Sequence, residues 1–329
     1  MIRLLAAPLA IVPRAAPDAA ARPRRAPAPA RRRFAATVGA VVLRLGRPLS
    51  ARVRRSARAL AGRRPAAFLT AAALLALLAG PAAAFSNCQA IAGRIPAARV
   101  ILAATGGAAA HEVEIRYVAH ATFRITAPDG TVIATDFAGY GGEGPLPDIV
   151  TMNHAHSSHY TPFPDPGIPH VLRGWNPDGG KAEHLLTVGE VLVRNVPTDI
   201  RNWSGIEESG NSIFIFEIAG LCIGHLGHLH QPLSDEQVAE IGRLDVVFVP
   251  IDGTYTMNQA TMMEVLKRLR AQLAIPMHWF GQSTLTAFLD RTRADGIAVE
   301  YAGTDTIRVS LNSLPAVPTF RVLDRERGY

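Results

Sequence analysis

The sequence predicts an α/β sandwich with helices on its outer faces, and three observations lead there. Alternating or short apolar stretches, read as strands, come in two groups. Each group is followed by stretches with helical spacing and helix-start signals. Several of the apolar stretches end on a histidine or an aspartate, which marks strand ends as the place for chemistry.

The first group opens with Val113–Val118, which alternates apolar and polar residues, and Ala121–Thr126, which does so again. Pro128-Asp129-Gly130 is a turn signal, Val132–Thr135 resumes a strand, and Gly139–Gly144 is a glycine-rich loop. Asp148–Met152 is a short apolar strand that empties into a histidine-rich run. In the second group Val191–Val196, Ser212–Ile218 and Leu221–Gly224 read as strands. Ser234–Leu244 starts with a Ser cap and acidic residues in its first turn, a helix signature. A buried strand over Val246–Pro250, a helix over Gln259–Leu273, a strand over Ala274–Met277 and a helix over Ser283–Ala294 follow. Ala298–Tyr301 and Thr306–Leu311 close the pattern as strands.

The chain has 329 residues and a net charge of +7, from 34 Lys and Arg against 27 Asp and Glu. That charge is unevenly spread. Residues 1–65 hold 16 of the bases and one acid, Asp18, which leaves 18 bases against 26 acids in the remainder. The part that can fold is therefore acidic, which argues against a nucleic-acid partner. Residues 1–65 are dominated by Arg, Pro and Ala, a composition that cannot build a core and is expected to be a disordered leader, with an over-extended start as the alternative. Residues 66–84 hold an apolar run and an Ala82-Ala83-Ala84 exit, the pattern of a signal peptide cleaved after Ala84. The expected address is the periplasm or the exterior, with no stable membrane insertion after cleavage, because the run is short of the roughly 20 apolar residues of a span. Residues 85–110 read as a small helix and linker, 111–313 as the folded domain and 314–329 as a C-terminal tail. Two cysteines, Cys88 and Cys222, are too few for a disulfide scaffold or a thiolate zinc site. They could pair in an oxidising compartment, but Leu221-Cys222-Ile223 has a buried-strand pattern, and an apolar free thiol is the reading preferred.

All 11 histidines lie from His111 onward. The densest group is His154-Ala155-His156-Ser157-Ser158-His159, directly after a strand. His154 and His156 are two apart, so an extended turn can aim both at one ion, and a helical turn from Ser157 would swing His159 beside them. Neutral imidazoles suit Zn, Fe and Mn. His120, Asp136, His225, His228, His230 and His278 add metal-binding side chains near other strand ends. Convergence on one site explains this repeated placement better than separate structural roles do.

The order of His120, Asp136, His154-x-His156-x-x-His159, the His225 segment and Pro276-Met277-His278 resembles the metallo-β-lactamase superfamily over roughly residues 111–311. It looks most like the branch of ascorbate-6-phosphate lactonase and N-acylphosphatidylethanolamine phospholipase D-like hydrolases. The resemblance implies a four-layer αββα sandwich and a metal centre, one or two Zn ions with Fe or Mn as options, that activates water on a small-molecule ester, lactone or phosphoester. It implies His154 and His156 as ligands of a first metal, with Asp199 as candidate third ligand, and His159 and His278 as ligands of a second. His228 matches the place of a bridging Asp, and His120, Asp136, Ser158 and His225 match supporting positions around the ligands. Ser158 also stands where the pattern has an Asp. Two anions are thus replaced by neutral groups, which predicts weak binding of a second metal or a mononuclear site. The proton acceptor is then sought among Asp199, Asp252, His225 and His230, and Asp252 can equally cap its own loop. Tyr160, Tyr255 and Trp279 are candidates for pocket lining or for packing. The Arg173–Trp175 and Arg201–Trp203 pairs are candidates for holding an anionic group. The alternative reading is a non-catalytic metal- or ligand-binding protein that keeps the fold.

Overall fold

The computed structural model describes residues 86–92, 111–202 and 205–326. The expected leader over 1–65, the signal peptide over 66–84 and most of the 85–110 linker lie outside the described residues. No helix among the described residues is long and apolar enough to cross a membrane.

Two sheets carry the fold. The first holds β1 (Val113–Ala119), β2 (Thr122–Thr126), β3 (Val132–Ala134), β4 (Ile149–Met152), β5 (His170–Arg173) and β13 (Thr306–Val309), in the spatial order β13-β1-β2-β3-β4-β5. The second holds β6 (Leu185–Val188), β7 (Val191–Asn202), β8 (Gly205–Ile218), β9 (Leu221–His225), β10 (Val246–Pro250), β11 (Leu273–Met277), β12 (Ala298–Tyr301) and β14 (Thr319–Val322). Its order is β12-β14-β11-β10-β9-β8-β7-β6. β9, β10 and β11 run parallel and are buried along their whole length, which is why they read as continuous apolar runs without alternation. The two sheets pack face to face. Phe123 of β2 stacks on Phe248 of β10 with ring centres 4.0 Å apart, and both side chains are fully buried.

Helices α2 (Asp235–Ile241), α3 (Gln259–Leu269) and α4 (Gln282–Ala294) all lie between strands of the second sheet in chain order. Ser234 caps α2 as its sequence predicts, with Gln237 completing a reciprocal capping box. Met262, Met263, Val265, Leu266 and Leu269 make the buried stripe of α3 at the spacing of one helix face. From β1 to β9 the described chain holds no helix. The second helix layer that a four-layer sandwich requires is therefore not among the described residues.

Two expectations are corrected here. Residues 314–329 are not simply a tail, because Thr319–Val322 forms β14 and inserts between β12 and β11. Four residues without alternation are too short to stand out in sequence, and only pairing on both sides makes them a strand. The preferred free-thiol reading of Cys222 also fails, since Cys88 and Cys222 form a disulfide across 134 residues of chain. Helix α1 (Asn87–Ala92) brings Cys88 to β9. The Glu217 carboxylate accepts from Ser86 Oγ and the Asn87 backbone, and the Cys88 carbonyl accepts from the Arg243 backbone. The burial of Cys222 was read correctly, but its partner is set by this docking, which no local pattern encodes.

A disulfide closing so long a loop stabilises chiefly by restricting the unfolded chain. Replacing both cysteines by serine is expected to cost about 2–5 kcal/mol in urea unfolding. An unchanged midpoint would show that α1 docks without the link.

Candidate metal centre

The clustered side chains come from the carboxyl ends of strands in both sheets. His120 occupies the corner between β1 and β2, and its carbonyl accepts from Tyr117 Oη at 2.9 Å and from the His278 backbone at 2.8 Å. Asp136 follows β3, the histidine run follows β4, His228 follows β9, Asp252 follows β10 and His278 follows β11. Parallel strands end together, so their loops share one edge of the sandwich. Six non-glycine residues among those described have positive φ, and three of them, His120, Asp136 and His278, belong to this edge. Left-handed backbone is costly for side-chain-bearing residues, so the packing around the site holds them there.

His120, His156, His159 and His278 each offer a ring nitrogen, and these four atoms lie within 4.8 Å of one another. His159 and His278 face each other through their Nε2 atoms at 3.1 Å. Two of the four rings are hydrogen-bonded through the opposite nitrogen, and a third has a carboxylate at ion-pair distance from it. His159 Nδ1 lies 2.7 Å from Asp136 Oδ2, His278 Nδ1 lies 3.1 Å from Asp252 Oδ1, and His156 Nδ1 lies 2.8 Å from Ser158 Oγ. An ionised carboxylate behind a ring favours the proton on Nδ1 and leaves Nε2 as the inward lone pair, whereas the Ser158 hydroxyl can donate or accept. His228 completes the group, with its ring centre 5.1–5.2 Å from those of His156, His159 and His278. Both of its nitrogens are buried without a hydrogen-bond partner, as are His120 Nε2 and His278 Nδ1. A buried imidazole with no partner is expensive, and a cation bound at the cluster would satisfy it. The donor set thus fits a transition metal of the kind that imidazole prefers.

Electrostatics favour the neutral form that a ligand imidazole needs. Burial pushes His120 down to about 2 and His228 down to about 3, and like-charge repulsion from His278 and His156 adds to both shifts. Burial and the same neighbours hold His159 well below the usual histidine range. Burial drives the Asp136 carboxyl upward, against a hydrogen bond from Asn153. For Asp252 burial also opposes the charge, but hydrogen bonds from His278 and Thr256 outweigh it and hold the carboxyl below the usual carboxylate range.

The expected site residues do not all meet. His154 is turned away from the cluster. Its Nδ1 pairs with Glu207 Oε1 at 2.7 Å, and its ring stacks on Trp175 at 4.9 Å. Two-residue spacing puts side chains on one face only in extended chain, and the chain leaves β4 at Met152, before the run begins. Asp199 is also elsewhere, since Oδ1 accepts from the Ser209 backbone and Oδ2 from Gln231 Nε2. His120, expected in a supporting place, stands among the converging rings. His225 is committed to structure, with Nε2 against the Ala121 carbonyl and Nδ1 accepting from the Gly227 backbone, so it is not poised to take a proton. Asp252 caps its loop, accepting from the backbones of Thr254 and Tyr255 as well as from Thr256, while it braces His278. Ser158 braces His156.

Two further residues carry the site: Asn153, which sequence reasoning misses, and Gly227, whose segment reads as letting backbone come close to a site. Asn153 is fully buried; its Nδ2 donates to Asp136 Oδ1 at 2.7 Å and its Oδ1 accepts from the Ser212 backbone at 2.8 Å. It thereby ties the carboxylate behind His159 to β8. Gly227 has φ of +58° and passes so close to Asn153 and Asn211 that a Cβ there would fall 2.4–2.5 Å from their side chains. The functional signal that could have found Asn153 is its place directly before the histidine run. Asn153→Ala leaves both the Asp136 oxygen and the Ser212 N–H unpaired, and is expected to destabilise the fold by about 1–3 kcal/mol in chemical unfolding. A loss of less than a few tenths of that range would mean that water replaces the amide.

A family model described as a beta-lactamase superfamily domain matches residues 114–278, half of the chain. Curated relatives named metal-dependent hydrolases align as well. The one from Methanoculleus marisnigri is 24% identical over 182 residues, covering 51% of this chain and 81% of its own length. The one from Cupriavidus metallidurans is 26% identical over 242 residues, covering 58% of this chain and 81% of its own. Among solved structures, a Thermotoga maritima protein assigned as a Zn-dependent hydrolase of the metallo-beta-lactamase superfamily is 26% identical, with a TM-score of 0.49, over 65% of this chain and 100% of that one. The matched model begins in β1 and ends on the last of the converging histidines, and on that span this chain belongs to the metallo-β-lactamase superfamily.

Proposed function

We propose that the protein is a metal-dependent hydrolase of small ester, lactone or phosphoester substrates, in the lactonase and phospholipase D-like branch of its superfamily, with an atypical all-imidazole centre. The observation that carries this reading is the set of four ring nitrogens within 4.8 Å of one another, two of them on rings hydrogen-bonded from behind and a third with a carboxylate beside its other nitrogen. His120, His156, His159 and His278 would hold the ion, with His228 beside them. Zinc is the ion proposed, and Fe or Mn suits the same donors. One ion is favoured over two, because no carboxylate is among the clustered donors to offset a second double charge. The family relatives named metal-dependent hydrolases support the activity.

When bound, such an ion supplies a Lewis acid that polarises an acyl or phosphoryl oxygen and lowers the pKa of water towards neutrality. The chain's own residues do the rest. Asp136 holds the His159 ring through Nδ1 and Asp252 stands behind His278, which leaves Nε2 of both rings facing the cluster. Buried around them, Phe123, Tyr117 and Trp279 exclude water from the back of the site and hold the rings in place. Of the proposed proton acceptors, Asp199 and His225 are engaged elsewhere. His230 keeps a buried Nδ1 without a partner and stays a candidate. We also propose export to an oxidising compartment, supported by the Cys88–Cys222 disulfide and the leader composition.

Elemental analysis of the purified chain, paired with a panel of lactones, esters and phosphodiesters, tests the reading. A chelator is expected to abolish turnover and zinc to restore it. His156→Ala and His159→Ala are expected to lose the metal, whereas His154→Ala keeps it. Asp252→Asn is expected to weaken metal binding by about 10–100-fold. Turnover that survives removal of every bound metal, or a metal content insensitive to His156→Ala, would sink the proposal.

A further inference from the structure

Beside the histidine cluster lies a cleft of about 370 Å³, lined among others by Trp279, Phe280, Leu285, Tyr301 and Arg325. It is joined to the proposed centre by one residue. The Phe280 ring stands 5.5 Å from His278 and 5.6 Å from His120, and the same ring forms a wall of the cleft. Phe280 is 61% exposed and Tyr301 is 60% exposed, so two large apolar side chains are presented to solvent on this side of the site. Exposed apolar surface next to converging polar groups is what a ligand covers.

At the cleft sits Arg325, directly after the segment that follows β14. Its Nη2 donates to the Trp279 carbonyl at 2.8 Å, and its guanidinium lies 5.2 Å from the Trp279 ring centre. Its positive charge is felt at His120 and at Tyr117, so it stands within electrostatic reach of the cluster. Among the described residues it has no carboxylate within ion-pair distance. A guanidinium has five N–H donors; the Trp279 carbonyl takes one and the Tyr117 hydroxyl is a second partner, which leaves others for an anion. Asp324 also lines the cleft, so both signs of charge are present. Arg325 is the one braced in position by a hydrogen bond and a ring, and a preorganised charge binds with less ordering cost.

We propose that this cleft is the subsite for the non-reacting part of the substrate, an apolar body that packs on Phe280 and ends in an anionic group held by Arg325. The inference rests on the hydrolase reading and adds the substrate class. The reacting bond lies over the histidines, the apolar portion runs past Phe280, and the charged end reaches Arg325. Substrates with an acidic end are then preferred over neutral or basic ones of the same length.

Calorimetric titration of the metal-loaded full chain with 4-phenylbutyrate, 4-phenylbutan-1-ol and 4-phenylbutylamine tests the subsite without requiring turnover. The acid is expected to bind about tenfold more tightly than the alcohol, the range of one hydrogen bond to a charged group, and the amine most weakly. Arg325→Gln is expected to bring the acid down to the alcohol and leave the alcohol unchanged. Phe280→Ala is expected to weaken acid and alcohol alike. Equal binding of acid and alcohol by the unaltered chain would overturn the proposal, and so would a preference for the amine. A preference for the acid that persists in Arg325→Gln would overturn it too, because the carboxylate would then sit on the metal. Failure of the hydrolase reading would appear separately, as absent turnover in the substrate panel with these binding differences intact.

Discussion

Each ring at the centre of this protein has two nitrogens, and the site depends on tying one of them down. Asp136 and Ser158 hydrogen-bond Nδ1 of His159 and His156, and Asp252 lies at ion-pair distance from Nδ1 of His278, so the opposite nitrogens are turned towards a common region. Without those braces a buried imidazole can rotate or exchange tautomers, and a cluster of five would repel or pair at random. The braces have braces of their own. Asn153 holds Asp136 to β8, and the four residues from Gly253 to Thr256 fold around the Asp252 carboxylate behind His278. The geometry of the centre is therefore a property of two buried carboxylates and their hydrogen bonds as much as of the histidines.

The scaffold makes this possible through strand direction. Parallel strands in each sheet end on the same side, so residues far apart in sequence arrive at one edge when β3, β4, β9, β10 and β11 stop. The left-handed backbone at His120, Asp136 and His278 is the local cost of turning sharply at those ends. It is offset by the aromatic stack of Tyr117, Phe123 and Phe248 between the sheets, which fills the space directly behind the site. The disulfide acts at the opposite end of β9 from His225, pinning α1 to the strand that leads into the His228 loop.

Charge separates the two sides of the site. Burial favours the neutral form of His120, His156, His159 and His228, and carboxylates back the cluster, so it is prepared to receive a cation. The cleft past Phe280 places Arg325 on a tryptophan ring and is prepared to receive an anion. A substrate spanning both would meet its electrophilic end at the histidines and its charged end at the guanidinium, with an apolar stretch between them. The pairing of a proposed metal centre with a separate anion-binding arginine gives orientation as well as affinity.

Sequence by itself determined most of the strands, though not His170–Arg173, Leu185–Val188 or Thr319–Val322, together with the helix starts and the class of chemistry. Alternation marked β1 and β2, Ser234 marked the start of α2, and histidines after apolar runs marked the edge where the site forms. These are local signals, because a residue's neighbours within a few positions decide whether a segment alternates, caps or turns. Tertiary structure alone decided which imidazoles meet. His154 looked equivalent to His156, yet Glu207, Trp175 and the early end of β4 draw it outward, while His120 enters from a hairpin corner 34 positions before it. The partners of Cys222 and of Asp136, and the pairing of Thr319–Val322 into the second sheet, were decided in the same way. Each depends on a neighbour brought close by the packing of distant segments, and the distance between two side chains is written only in the folded chain.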